Sequence, residues 1–366
     1  MVFDLSKAVR PNILSLRSYQ CANRRFTTGI RALLDANENA LGPCSEKYAH
    51  LDVHRYPDNN ASALREGVAT FRGVSADQVF VGNGSTEIMD LLIRVFCSPS
   101  SQDHILITPP TFEMYSILAQ IHDVGIHSVP LTPDFDVDMQ ATLASVSRNT
   151  KVVFICSPGN PTGRSIPNSD IEDIIRRVDN GVVVVDEAYL DFTDSKGAMS
   201  LLETHNNLVI LQTMSKSFGL AGIRLGMAFT SRDIVNLLDA VKIPYDVNRL
   251  TIDAALAALD DLTLFHRNIA IIKAQRIHLI QQLEQLPFVI KVYNSEANFV
   301  LIKLRQAEVV CDEMIRHGVL TRYRGDQVNC TDCIRITVGT PLENQMFLDT
   351  LSLVVNKLRD QHLMGA

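Results

Sequence analysis

Five short aliphatic runs between Asp103 and Thr230 constrain this chain more than any other feature. They are His104-Ile-Leu-Ile-Thr, Lys151-Val-Val-Phe-Ile-Cys, Gly181-Val-Val-Val-Val-Asp, Asn207-Leu-Val-Ile-Leu-Gln and Leu225-Gly-Met-Ala-Phe, each bounded by turn residues and separated by longer stretches with helical spacing. A strand with one wet face alternates apolar and polar residues, whereas a continuous apolar run predicts a strand covered on both faces. Such runs alternating with helical stretches imply an α/β sandwich around a mostly parallel sheet. Near Pro244 the rhythm changes, and the pattern is helical from about Thr251 to Glu284. Two further strand candidates, Phe299-Val-Leu-Ile-Lys and Ile334-Arg-Ile-Thr-Val, and an amphipathic helix from about Glu343 to Arg359 predict a second, smaller α+β domain. A length of 366 residues, beyond what one core usually supports, agrees with two domains.

Composition narrows the range of partners. With 46% hydrophobic and 20% charged residues the chain falls in the globular class, and a net charge of −7 without a long basic run offers no footprint for nucleic acid or an anionic membrane. No apolar run approaches the length of a membrane span, and the first residues, Met1-Val-Phe-Asp-Leu-Ser-Lys, resemble neither a secretory signal nor a transit peptide. Seven scattered cysteines point to free thiols in a reducing compartment, hence the cytoplasm. Cys330 and Cys333 form a C-x-x-C, but no second ligand pair accompanies it, and no metal site is expected. A small-molecule substrate is the expected partner.

In open parallel sheets ligands bind beyond the carboxyl ends of the strands. Those positions carry Ser157-Pro-Gly-Asn-Pro-Thr-Gly163, Asp186-Glu-Ala-Tyr189, Thr213-Met-Ser-Lys-Ser-Phe-Gly219 and Gly222-Ile-Arg224. Lys216, between Ser215 and Ser217 rather than carboxylates, is poorly placed for a surface ion pair and well placed to form an imine. Its amine, with an ordinary pKa of about 10.4, needs desolvation or neighbouring cations before it can shuttle a proton near neutrality. Asp186, after four valines, brings a carboxylate to the end of an apolar strand, where it needs a cationic partner. Gly82-Asn-Gly-Ser-Thr-Glu-Ile is a Gly-rich turn opening a helix, whose free N–H groups favour an anion, although Ser85 or Thr86 could serve as an ordinary N-cap.

Together, S-P-x-N-P-T-G, D-E-A-Y and the Ser215-Lys216 to Arg224 block closely resemble the fold-type I aminotransferases, over essentially the whole chain. The resemblance implies pyridoxal 5′-phosphate on Lys216, with Asp186 facing the ring nitrogen and Asn160 and Tyr189 the phenolic oxygen. It places the phosphate at Ser85 and Thr86, with Ser215, Arg224 and Thr213 completing the site, and Phe112 stacked on the ring. It also implies an N-terminal arm over 1–30, a large cofactor domain over 45–250, and a small domain of 31–44 with 251–366.

Leu34-Asp-Ala-Asn-Glu-Asn-Ala-Leu-Gly-Pro43 and Arg55-Tyr-Pro-Asp58 resemble the histidinol-phosphate aminotransferases, with Asp35 and Ala40 where that family more often has Asn and Pro. That implies glutamate/2-oxoglutarate and histidinol phosphate in one pocket, two substrates whose anions suit arginine forks. Arg335 matches the α-carboxylate position and Arg322 the distal-anion position, with Arg324 close enough to compete for the second role. Tyr19 and Tyr245 match positions around the substrate phosphate. Tyr56 matches a residue donated to the neighbouring subunit's cofactor phosphate, which implies a homodimer with shared sites. Aromatic aminotransferases and threonine-phosphate decarboxylases share the scaffold and a similar Asn-Glu-Asn segment. A non-catalytic binding protein on this fold would be expected to lack the imine lysine or to carry an added DNA-binding domain.

Overall fold

The structure is a computed structural model that describes residues 3–16 and 32–360. Its larger sheet contains β1 (Val79–Asn83), β2 (His104–Ile107), β3 (Gly125–Ser128), β4 (Thr150–Cys156), β5 (Val182–Asp186), β6 (Leu208–Thr213) and β7 (Leu225–Thr230), in the order β1-β7-β6-β5-β4-β2-β3. β7 alone runs antiparallel to its neighbours, so the sheet is mostly parallel as its aliphatic runs predict.

The reason for those continuous runs is visible in the packing. In β5, Val182 and Val184 enter a core with Phe80, Phe154 and the helix Ser85–Phe96. Val183 and Val185 enter a second core on the opposite face with Leu64, Val68 and Ile174. All five β5 residues are buried, and each valine contributes roughly 1.5–3 kcal/mol of apolar burial.

Two strands escaped the run pattern for opposite reasons. β1 lies before the five runs and gives way quickly to Gly82-Asn-Gly84, and β3 is a largely exposed edge strand without an apolar face.

The smaller sheet is antiparallel, with β8 (Val289–Tyr293), β9 (Phe299–Leu304), β10 (Arg322–Tyr323) and β11 (Cys333–Thr337) in the order β10-β11-β9-β8. The sequence announces β9 and β11 but not the half-exposed β8 or the two-residue β10. One face of this sheet packs on the helices Thr263–Glu284, Ala307–Arg316 and Pro341–Asp360 through Leu279, Val310 and Leu351.

The single helical stretch expected from Thr251 to Glu284 is two helices. Arg249–Asp260 ends before Asp261-Leu262, and Thr263–Glu284 starts anew with Asp261 accepting from the Thr263 N–H at 2.8 Å. The first helix sets Ile252, Ala255 and Leu256 into the core of the large sheet, so the small-sheet packing begins with the second. Among the described residues no helix is long and apolar enough to cross a membrane.

Candidate active site

The carboxyl ends of β4, β5 and β6 open onto a cavity of about 300 Å³. Lys216 borders it from the loop after β6. That loop is anchored on its far side: Ser217 Oγ donates to Asp191 Oδ2 at 2.6 Å, and Arg72 grips the same carboxylate with two bonds of 2.8 and 3.1 Å. Although the lysine has solvent access through the mouth of the cavity, surrounding protein draws its pKa below the ordinary value. Burial is the main cause, the positive charges of Arg335 and Arg224 add to it, and Asp186 opposes.

Asp186 is 3% exposed at the end of β5. Tyr115 donates its phenolic hydrogen to Oδ2 at 2.7 Å, and the Ala188 N–H donates to Oδ1 at 3.1 Å. Burial raises the carboxyl pKa, while these donors and Lys216 hold it down. Tyr115 is fully buried, stacked on Phe154 with centroids 4.5 Å apart and met edge-on by Phe112 at 5.7 Å. Sequence reading missed Tyr115, which lies on the apolar helix Met114–Ile121 and shows a polar role only once its hydroxyl is placed on Asp186.

Asn160 and Tyr189 both line the cavity and are buried. Asn160 Oδ1 accepts from Arg335 Nη1, and Tyr189 packs edge-on against Phe299 at 5.1 Å. Burial pushes the Tyr189 phenol pKa up. Arg335 rises from β11 over the Phe299 ring at 5.3 Å, its own pKa lowered by burial.

Donors suited to an anion gather at the turn between β1 and its helix. Gly84, not Ser85 or Thr86, is the N-cap and makes no side-chain cap, so both hydroxyl residues sit in the first turn and line the cavity. Gly84 has φ +80°, and a Cβ there would lie 2.7 Å from Arg224 Nη2. Gly226 on β7 allows the same turn to approach, because a Cβ on it would lie 2.2 Å from the Ser85 nitrogen. Thr213 Oγ1 donates to the Leu225 carbonyl at 2.9 Å and accepts from the Ser215 N–H at 3.1 Å, which sets Ser215 at the cavity wall.

The expected substrate residues divide. Arg335 lines the cavity; Arg322, its register partner on β10, is exposed and does not. Arg324, two residues on, is 8% exposed and does line it. Tyr56 and Tyr245 stack on each other at 4.5 Å beside a separate cavity of about 420 Å³. There Glu38 accepts from Arg55 Nη1 and from the Tyr56 N–H, both at 2.7 Å, joining the 34–43 and 55–58 segments. Tyr19 lies outside the described residues. Cys330 and Cys333 are buried beside Leu131 and Phe135, and the described residues contain no His, Cys, Asp or Glu cluster able to hold a metal.

The profile of the family described as "Aminotransferase class I and II" matches residues 12–351. The chain belongs to this family. Its members are transferases that work with pyridoxal 5′-phosphate, and this aminotransferase is one of them. It is 44% identical to the histidinol-phosphate aminotransferase of Cytophaga hutchinsonii over 354 residues, covering 96% of this chain and 99% of that one. It is 39% identical to that of Saccharomyces cerevisiae over 389 residues, covering 98% and 100%. Among solved structures, the histidinol-phosphate aminotransferase of Clostridium acetobutylicum aligns with a TM-score of 0.78 at 26% identity, covering 84% of this chain and 92% of that one.

The cavity fits the cofactor on its own chemistry. It pairs an amine of lowered pKa with a buried carboxylate that makes no ion pair among the described residues, and it sets an open helix N-terminus beside an arginine.

Proposed function

We propose that the enzyme transfers the amino group between histidinol phosphate and 2-oxoglutarate, giving imidazole-acetol phosphate and glutamate, by a ping-pong reaction on pyridoxal phosphate. The observation that carries this reading is the convergence of Lys216, Asp186, Asn160, Tyr189 and two arginines, the buried Arg324 and the half-buried Arg335, on one cavity. The near-full-length relatives named histidinol-phosphate aminotransferases support the substrate assignment.

When bound, pyridoxal phosphate supplies the electron sink that lets the Cα–H bond of an amino donor break. Lys216 Nζ tethers the cofactor and, once released, moves the proton at the substrate Cα, a task its lowered pKa suits. With the cofactor bound, Asp186 would supply negative charge to the ring nitrogen, Asn160 and Tyr189 would hydrogen-bond the phenolic oxygen, and Phe112 would stack on the ring. Ser85, Thr86, Thr213, Ser215 and Arg224 hold the phosphate, and Arg335 grips the substrate α-carboxylate. We assign Tyr19 and Tyr245 to the substrate phosphate.

We also propose a cytoplasmic homodimer in which Tyr56, 49% exposed, reaches the neighbouring subunit's cofactor phosphate; the six described cysteines form no disulfide. We further propose the division into a large domain over 45–250 and a small one of 31–44 with 251–366, modified in that the helix Arg249–Asp260, which packs on the large-sheet core, goes with the large domain.

Two half-reactions test the assignment. Glutamate should convert the absorbance of the bound cofactor to the pyridoxamine form, and imidazole-acetol phosphate should restore it. Carbon dioxide release from threonine phosphate without amino transfer overturns the assignment. A monomer in sedimentation with full activity removes the shared site.

A further inference from the structure

We propose that Arg324 is the specificity-determining residue for the substrate's second anion, with Glu113 as the positioning residue that holds its guanidinium at the cavity. The inference rests on reading the cavity as an aminotransferase pocket for substrates with two anions.

β10 and β11 are antiparallel with Arg322 opposite Arg335, and the Arg324 N–H donates to the Cys333 carbonyl at 2.9 Å, which continues the pairing by one residue. Because strand side chains alternate faces, Arg322, Arg324 and Arg335 all rise on the same side of the small sheet. Of the two arginines flanking Tyr323, Arg322 is exposed, whereas Arg324 is buried and lines the cavity beside Arg335.

The Arg324 guanidinium is held but not satisfied. Nη1 donates to Glu113 Oε1 at 2.9 Å, and Nε is buried without an acceptor. Glu113 is the residue after Phe112, on the loop that follows β2, so this ion pair joins the large sheet's loop to the small sheet across 211 residues of sequence. Gln327 Nε2 donates to the same Glu113 oxygen at 2.8 Å and fixes the carboxylate. Glu113 keeps nearly half its side chain in solvent, so it offers the arginine an incomplete counter-charge.

The guanidiniums of the buried Arg324 and the half-buried Arg335 line the same cavity and repel, and after burial the positive charge of Arg324 contributes to the lowered pKa of Arg335. An incoming γ-carboxylate or phosphate relieves that repulsion and supplies acceptors to a planar fork that Glu113 occupies only at one nitrogen. A substrate with a single carboxylate satisfies Arg335 alone.

The test compares glutamate with alanine as amino donors to the holoenzyme, by kcat/KM of the half-reaction read from cofactor absorbance. In R324Q the glutamate-to-alanine ratio should fall about 30-fold, mainly through KM. R324K, which keeps the charge but loses the fork, should lower it about tenfold. E113Q should lower it less, with the melting temperature of the holoenzyme preserved. R322Q should leave the ratio within about threefold. Equal losses with both donors in R324Q and R324K would make the contact a structural clasp and overturn the proposal, as would a loss of selectivity carried by R322Q instead. If the wild-type enzyme rejects histidinol phosphate while Arg324 still governs the glutamate ratio, the assigned substrate falls and this inference stands.

Discussion

The two walls of the cavity are built differently. The wall from β4, β5 and β6 places Asp186 and Thr213 at the ends of strands buried on both faces, which fix their positions, and the Lys216 loop that follows β6 is clasped from its far side by Ser217, Asp191 and Arg72. The wall from the small sheet depends on a two-residue strand, β10, and on contacts such as Arg324 to Glu113 and Arg335 to Asn160 that join distant parts of the chain. The first wall carries the bond-breaking chemistry common to every amino donor, and the second carries the anion contacts, Arg335 for the α-carboxylate and Arg324 for the anion that distinguishes one donor from another. Substitutions on the first should therefore lower kcat for all substrates, and substitutions on the second should alter KM and selectivity.

The largest effect belongs to Lys216→Ala. Turnover should fall by about 10⁴-fold or more with every donor, because both the tether and the proton carrier are removed. Thermal denaturation should barely move, since the loop is anchored through Ser217 and Asp191 rather than through the lysine. Retained turnover at a tenth of wild type would place the chemistry elsewhere and erase the contrast between the walls.

Asp186→Asn should come next, with kcat reduced about 100- to 1000-fold and the glutamate-to-alanine ratio unchanged. A ratio that collapses together with kcat would show that the two walls do not act separately.

The same contrast explains what the sequence made legible. Val182 to Asp186 announces itself because both faces of β5 are apolar, and a reactive residue at the end of such a run has a position that follows from the strand. Arg324 had no comparable signal: its burial depends on Glu113, 211 residues away, and on whether the pairing of β10 continues past Tyr323. Tyr115 was invisible for another reason, since a tyrosine on an apolar helix reads as core until its hydroxyl is seen to end on Asp186. β3 and β8 were missed because their exposed faces leave no continuous run. The break at Asp261-Leu262 was missed because the residues on both sides keep helical periodicity.

Tyr115→Phe sharpens the first wall from within. Removing the phenolic donor takes away the largest influence that holds the Asp186 carboxyl down, so its pKa should rise further under the effect of burial. The acidic limb of the kcat profile should move to higher pH, and kcat at neutrality should fall about three- to tenfold. Restoration of wild-type kcat at alkaline pH is the signature of this role. A uniform loss at every pH would indicate packing damage beside Phe154.

The smallest effect on activity, and the clearest on stability, belongs to Glu187. Asp186 and Glu187 are adjacent buried carboxylates that serve opposite faces of the sheet: Asp186 meets Tyr115 in one core, and Glu187 accepts from the Ala198 N–H at 2.6 Å and from Gln212 Nε2 at 2.9 Å beside the other. Burial raises the Glu187 pKa to about 7 from an ordinary 4.5. A carboxyl whose folded pKa is raised binds its proton more tightly when folded. Its contribution is therefore favourable below about 4.5 and is lost as pH climbs to about 7, which weakens the fold by up to about 3 kcal/mol. Glu187→Gln should abolish that slope, because an amide has no proton to lose in this range; its oxygen can keep the Ala198 N–H, and its NH2 can donate to Gln212 Oε1 once the Gln212 amide flips. In urea titrations from pH 4.5 to 8 the variant should gain about 1–3 kcal/mol over wild type at the alkaline end and little at the acid end. The gain should be the same with and without pyridoxal phosphate, since only Asp186 faces the cavity. A gain that disappears when the cofactor binds would tie Glu187 to the chemistry of the first wall.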